Sequence, residues 1–273
     1  MLITDDIAYL ELHKTGCSHV LKILKAIHGD ACQIHGKHNT YDTVFHPSER
    51  AKFDALTKVG NIRNPWDWYV SLWSFGCQGE GGLHSRLTIQ RDLKWHRLSG
   101  IRKRMRPLLG QDLPRRSTQY WKSLYADVND VQAFRAWLRA IIAEPGHSLG
   151  EGYKVKPLSK VAGLMTYRFM KLYTYRDELA QVDSPSGLAL AFAKDGFVEV
   201  MLRNEYLHDD LKTHAVTLGT TLEHMTEVLS QFTSRTNASH RNRDFRAYYD
   251  DETKALVARA DAYLIDTFGY TFD

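Results

Sequence analysis

The sequence predicts an α/β fold in which a parallel sheet is covered by helices on both faces. Three observations predict it. Short apolar runs of strand length alternate with longer segments of helical period. The first run leads through a short glycine-containing polar loop straight into a helix. A later run ends at Arg63-Asn64-Pro65, and a proline in a first turn opens a helix well.

Residues 7–12 (IAYLEL) form the first strand, and His13-Lys14-Thr15-Gly16-Cys17-Ser18 the loop after it. In the following HVLKILKAI, Val20, Leu21, Ile23, Leu24 and Ile27 fall at helical spacing. A second strand is expected at 31–34, running into the turn His35-Gly36-Lys37-His38-Asn39, and a short helix opens near Ser48-Glu49-Arg50. The third strand is 59–62, followed by the aromatic helix WDWYVSLWSF. Residues 76–125 read as an insertion or lid in an otherwise single domain of 1–273, with a flexible QGEGG and the basic runs IRKRMRP and LPRR. An amphipathic helix over 130–142 places Val131, Phe134, Leu138 and Ile141 on one face. A helix at 187–194, a strand at 197–202 and two more helices follow. After the polar stretch SRTNASHRNRDF comes a last helix from about 251 to 267, with Gly269 just past its end.

Composition narrows the class. With 43% hydrophobic and 25% charged residues over 273 positions, the chain can bury a core and is not globally disordered. No apolar run reaches the roughly 18 residues of a membrane helix. Asp5, Asp6 and Glu11 stand where an export signal would be basic and then apolar, so a cytoplasmic location is expected. Three cysteines, an odd number, describe no disulfide framework. A net charge of +4 is too small for a nucleic-acid footprint and suits a small anionic ligand. The thirteen histidines show no zinc-type spacing.

The first loop has the chemistry of an anion cradle. In an α/β sheet, ligands bind at the carboxyl ends of strands, where a helix N-terminus offers unpaired N–H groups and positive potential. Gly16 lets the backbone approach a phosphate; Lys14 adds charge, and Thr15 and Ser18 add hydroxyls. The glycine frame of a Walker A motif is missing. Arg63 ends a strand and Ser71 lies two turns along the next helix, a guanidinium fork and a hydroxyl suited to a terminal phosphate. Each feature alone also fits an ordinary turn or a surface ion-pair partner.

Together, LHKTGCSHV after a first strand and VGNIRNPWDWYVSLWSF resemble the paired signatures of sulfotransferases that use 3′-phosphoadenosine-5′-phosphosulfate (PAPS), especially bacterial and carbohydrate-type members. Lys14, Thr15, Gly16, Cys17 and Ser18 match a pattern like P-K-T-G-G-T or P-K-V-G-C-T. Arg63, Pro65, Val70 and Ser71 match one like V-R-D-P-x-x-R-x-V-S. His13, Ser18 and Asn64 replace Pro, Thr and Asp, and Trp68 replaces a frequent Arg. FVEVMLRNEYL resembles a later family strand ending R-x-E-x-L, and NASHRNRDFRAYYDDETKALV…FGYTF the family's C-terminal stretch. The resemblance covers about half the chain, at both ends and in order.

It implies a P-loop-like central parallel sheet flanked by helices, while the insertion, which the resemblance does not cover, reads as largely helical. It also implies PAPS as sulfuryl donor. Lys14 and the N–H groups of Gly16, Cys17 and Ser18 would meet the 5′-phosphosulfate, Arg63 and Ser71 the 3′-phosphate, and Ser239, His240 and Arg241 would close over the nucleotide. The acceptor would be a small-molecule or carbohydrate hydroxyl, and the scheme requires no metal. The acceptor needs a base. His38, in a turn at the carboxyl edge of the sheet, is the first choice and His35 the alternative; HGKH also fits a solvated turn, and no further ligand spacing supports a metal pair. Glu11 reads as a strand-end residue. Cys17, at a helix N-terminus, is either a reactive thiol or the packing of a tight loop.

Other readings compete. The basic run Arg102-Lys103-Arg104-Arg106 would recruit an acidic acceptor or form a solvated face. The Trp66, Trp68, Trp73 and Phe75 cluster reads mostly as core. Gly146-His147-Ser148-Leu149-Gly150 spells G-x-S-x-G, the nucleophile elbow of a serine hydrolase, but lacks a strand before it and a helix after it. A catalytically silent nucleotide-binding protein on the same fold is the remaining rival.

Overall fold

The computed structural model describes residues 1–89, 116–143, 149, 151–153, 157–176, 178–179, 181–232 and 243–273. The chain divides into two compact units. One comprises Met1–Asn64, Arg168–Leu179 and Leu188–Ala238; the other comprises Pro65–Tyr167, Ala180–Gly187 and Ser239–Asp273.

The first unit holds a five-stranded sheet: β1 Leu2–Ile3, β2 Ile7–Tyr9, β3 Gln33–Ile34, β4 Thr57–Ile62 and β5 Val200–Arg203, in the order β3-β1-β2-β4-β5. The neighbours β2, β4 and β5 are parallel, as the α/β reading expects. The sheet as a whole is mixed, which corrects the expectation of a parallel sheet: β1 runs antiparallel to both β2 and β3. A tight turn at Thr4 reverses the chain. Its N–H donates to Ile7 O, and its hydroxyl oxygen accepts from the N–H of Asp6 and Ile7. The expected second strand is therefore an edge strand beside β1, exposed at both of its residues.

The helix after the first loop is α1, Cys17–His28, followed by α2, Tyr41–Val44, and α3, Arg50–Asp54. The apolar stripe of α1 (Val20, Ile23, Leu24) packs with Ile7, Tyr9, Val59, Val200 and Leu202 of the sheet and with Leu207, Leu211, Met225 and Val228 from the helices Leu207–Thr213 and Leu222–Ser230. Successive strand residues point to opposite faces. Val59 faces this cluster, and at Gly60 a Cβ would stand 2.6 Å from the Tyr173 ring, so the helix Leu164–Tyr173 reaches the other face. The hydrophobic periodicity of the sequence predicts no helix at 164–173, so this element is an addition.

The second unit is helical. Its first helix, α4, is Pro65–Cys77, with Trp66, Trp68 and Trp73 buried. The expected amphipathic helix is Val131–Ile142, capped by Asp130, which accepts from Gln132 N and Ala133 N. The expected last helix is two, Asp251–Ala260 and Ala262–Phe268, the second ended by Gly269 in the left-handed region. Asp261 breaks it. Its fully buried carboxylate accepts from Thr166 N (2.8 Å), Thr166 Oγ1 (2.7 Å) and the Tyr69 hydroxyl (2.7 Å). Of the expected insertion, the helices Gly82–Thr88 and Thr118–Leu124 are seen, and residues 90–115, with the basic run at Arg102, Lys103, Arg104 and Arg106, lie outside the described residues. Among the described residues no helix is long and apolar enough to cross a membrane.

Candidate functional site

The loop from His13 to Gly16 joins the end of the β2 segment to α1, and its backbone is bent to fit. Gly16 caps α1 with φ 83°, in the left-handed region, and no side chain among the described residues caps that helix end. The first N–H groups of a helix lack intrahelical partners, so this end is a positive, donor-rich concavity. Glycine is required here twice over. The φ suits it, and a Cβ would lie 2.8 Å from Asn204 Oδ1.

Lys14 has φ 62°, a conformation a lysine adopts only when its surroundings impose it. Its carbonyl accepts from Arg63 Nη1 at 3.0 Å, which fixes the guanidinium beside the loop. Burial and then the Arg63 charge lower the Lys14 ammonium from its ordinary value to about 8. Two cations held together at a helix N-terminus concentrate positive potential there. Thr15 is fully buried and its hydroxyl donates to Leu12 O at 2.7 Å. Ser18 is half-buried in the first turn of α1. The Cys17 thiol is buried and raised to about 11, by burial first and by the Glu11 carboxylate second, so it is a protonated packing group and not a reactive thiolate.

His38 also has a positive φ, 59°. Its Nδ1 lies 2.8 Å from Glu11 O. A carbonyl only accepts, so Nδ1 carries the proton and the neutral ring keeps its lone pair on Nε2. His13 stacks on the ring with centroids 3.6 Å apart and planes 16° from parallel. Burial outweighs the pull of Glu11 and lowers the His38 pKa below its ordinary value, with Arg168 and Lys37 acting in the same direction as burial. His35, the alternative base, donates its backbone N–H to Met1 O, and its ring Nε2 is buried without a hydrogen-bond partner among the described residues. The first unit thus gathers Lys14, Gly16, Cys17, Ser18, His38 and Arg63 around the sheet edge. Ser71 lies in the second unit, buried in α4. Ser239, His240 and Arg241 lie outside the described residues, as does Ser148 of G-x-S-x-G.

Three residues that back this loop were not assigned such a role from sequence. The Tyr173 hydroxyl accepts from Asn61 N at 2.8 Å and lies 3.1 Å from Asn61 O and 3.3 Å from Leu10 O, tying the ends of β2 and β4. Asn204 backs Gly16, and Glu205 Oε1 accepts from Asn64 N at 2.7 Å. The last two fall within the segment RNEYL, whose likeness to R-x-E-x-L was the signal available.

Comparison of the chain with protein-family models, with curated proteins and with solved structures finds no match.

Proposed function

We propose that this chain is a PAPS-dependent sulfotransferase on a P-loop-like frame, moving a sulfuryl group to a hydroxyl of a small-molecule or carbohydrate acceptor. The observation that carries this reading is the placement of Lys14 and Arg63 together at the uncapped start of α1. Such a pair gains most from an anion that arrives with several negative oxygens.

In this reading the acceptor oxygen attacks sulfur in line. The bond from sulfur to the bridging phosphate oxygen breaks, and 3′,5′-bisphosphoadenosine leaves. Lys14 and the first N–H groups of α1 stabilise the charge that grows on the bridging oxygen. His38 takes the acceptor's proton on Nε2, and its lowered pKa keeps it neutral at physiological pH. By the family resemblance, Arg63 and Ser71 would be the contacts of the 3′-phosphate, away from sulfur, and Ser239, His240 and Arg241 further contacts of the nucleotide.

Calorimetry of bisphosphoadenosine against ATP and NADP tests the donor. A labelled-sulfate screen over sugars, lipids, phenols and alcohols then tests transfer. The expected result is preferential binding of bisphosphoadenosine and transfer to at least one acceptor class. Binding without transfer to any hydroxyl would leave a silent nucleotide-binding protein, and equal or absent binding of all three nucleotides would reject the donor.

A further inference from the structure

The fold brings together three side chains from separate segments. A carboxylate oxygen of Glu11, Sγ of Cys17 and a ring nitrogen of His38 all lie within 4.8 Å of one another. Glu11 is fully buried, and while Oε1 accepts from Met1 N at 3.2 Å, Oε2 has no hydrogen-bond partner among the described residues. An orphaned carboxylate oxygen costs free energy unless something fills its lone pairs. The thiol and imidazole that stand within 4.8 Å of it are both metal-ligand types.

We propose that Glu11, Cys17 and His38 form a three-ligand site for a thiophilic divalent cation of the zinc class. The donor set is one sulfur, one nitrogen and one oxygen, which suits zinc or cobalt and not magnesium or calcium. Three protein ligands leave a fourth position open. Around an ion about 2.0–2.3 Å from each ligand, ligand atoms stand roughly 3.3–3.8 Å apart, so a side-chain shift of about 1 Å closes the site. The bond from His38 Nδ1 to Glu11 O is the outer hydrogen bond that orients a ligating imidazole and leaves Nε2 for the ion. On binding, the Cys17 thiol proton passes to solvent, and thiolate and carboxylate together neutralise the dication. The cations Lys14 and Lys37 stand near Cys17, so charge alone would not hold an ion here; the sulfur and nitrogen bonds must. An ion on Nε2 would occupy the lone pair that the proposed base uses, so the cation-loaded chain would not transfer sulfuryl groups through His38, and the cation site is tested without reference to transfer.

Titration of the purified full chain with Co²⁺, followed by absorbance, tests this without any activity assay. One equivalent of Co²⁺ should bind and give a near-ultraviolet sulfur-to-cobalt charge-transfer band. Cys17→Ser should abolish the band, and the double variant Cys32→Ser/Cys77→Ser should keep it. Glu11→Gln and His38→Ala should each weaken Co²⁺ affinity about 10-fold or more. No band in the wild type, or a band that survives Cys17→Ser, overturns the proposal. Should Cys17→Ser fail to fold by circular dichroism, the double variant decides: loss of the band there overturns the site, and retention assigns the sulfur to Cys17.

Discussion

Glu11 in the sheet-bearing unit and Asp261 in the helical unit are both fully buried carboxylates, and they are kept in different ways. Asp261 is saturated. Thr166 supplies two donors to one oxygen, and the Tyr69 hydroxyl supplies one to the other, while Gly163 makes room, since a Cβ there would fall 2.3 Å from Asp261 Oδ2. Burial still raises the Asp261 pKa, against the lowering pull of its Thr166 and Tyr69 donors. Glu11 keeps one oxygen unpartnered, beside a thiol and an imidazole. Around it, Lys14 and His38 hold left-handed backbone conformations, and Lys14 is lowered by burial and by Arg63. The helical unit uses its carboxylate's polar bonds to hold shape, whereas around Glu11 one oxygen is unmatched among the described residues and the neighbouring backbone is strained.

Substitutions separate the two. His38→Ala should lower the transfer rate by about 10²–10⁴ with bisphosphoadenosine affinity kept. His35→Ala is its control in the same assay, and loss of activity in that variant alone would move the base to His35. Asp261→Ala leaves the donors of Tyr69 and Thr166 unpaired in the core and should cost roughly 3 kcal/mol or more in a denaturant titration, with turnover per folded molecule unchanged. A drop in turnover at full stability would erase the contrast between the regions.

Lys14→Ala should reduce transfer on the order of 100-fold or more with the fold intact. The pH profile sharpens the same point. His38 must be neutral, and its pKa lies below the ordinary imidazole value, so kcat/KM rises with pH on the acid side and is level by neutrality. Lys14 must be charged and loses its proton near 8, so kcat/KM falls above about 8. A profile that stays flat through pH 9 would show that the Lys14 charge is not used. Smaller still, Arg63→Ala and Ser71→Ala should weaken bisphosphoadenosine binding by roughly 1.5–3 kcal/mol in calorimetry. Arg63→Ala should also move the alkaline limb upward, because the Arg63 charge helps to lower Lys14.

The first loop and α1 were legible because glycine, lysine and a helical stripe occupy adjacent positions. The order and direction of the outer strands were not. Leu2–Ile3 is a two-residue strand with no periodic pattern, and its insertion between β2 and β3 made the sheet mixed. The helix Leu164–Tyr173 escaped because it is buried almost all round, so it has no polar face to set its period. Glu11, Cys17 and His38 form no spaced motif, since the turn at 35–39 and the loop at 13–18 meet only in the folded chain. Asp261 looked like one more polar residue of a long helix until its partners were in place.

The left-handed backbone of Lys14 and His38 carries a lesson for evolution and engineering. Glycine at either position would relieve strain on the order of 1 kcal/mol, and asparagine would adopt the same conformation more readily than lysine or histidine. Selection for thermal endurance alone would therefore drift toward those residues. It would arrive at a more durable chain that has discarded its ammonium and its imidazole, so under the proposed transfer persistence and activity pull against each other at these two positions.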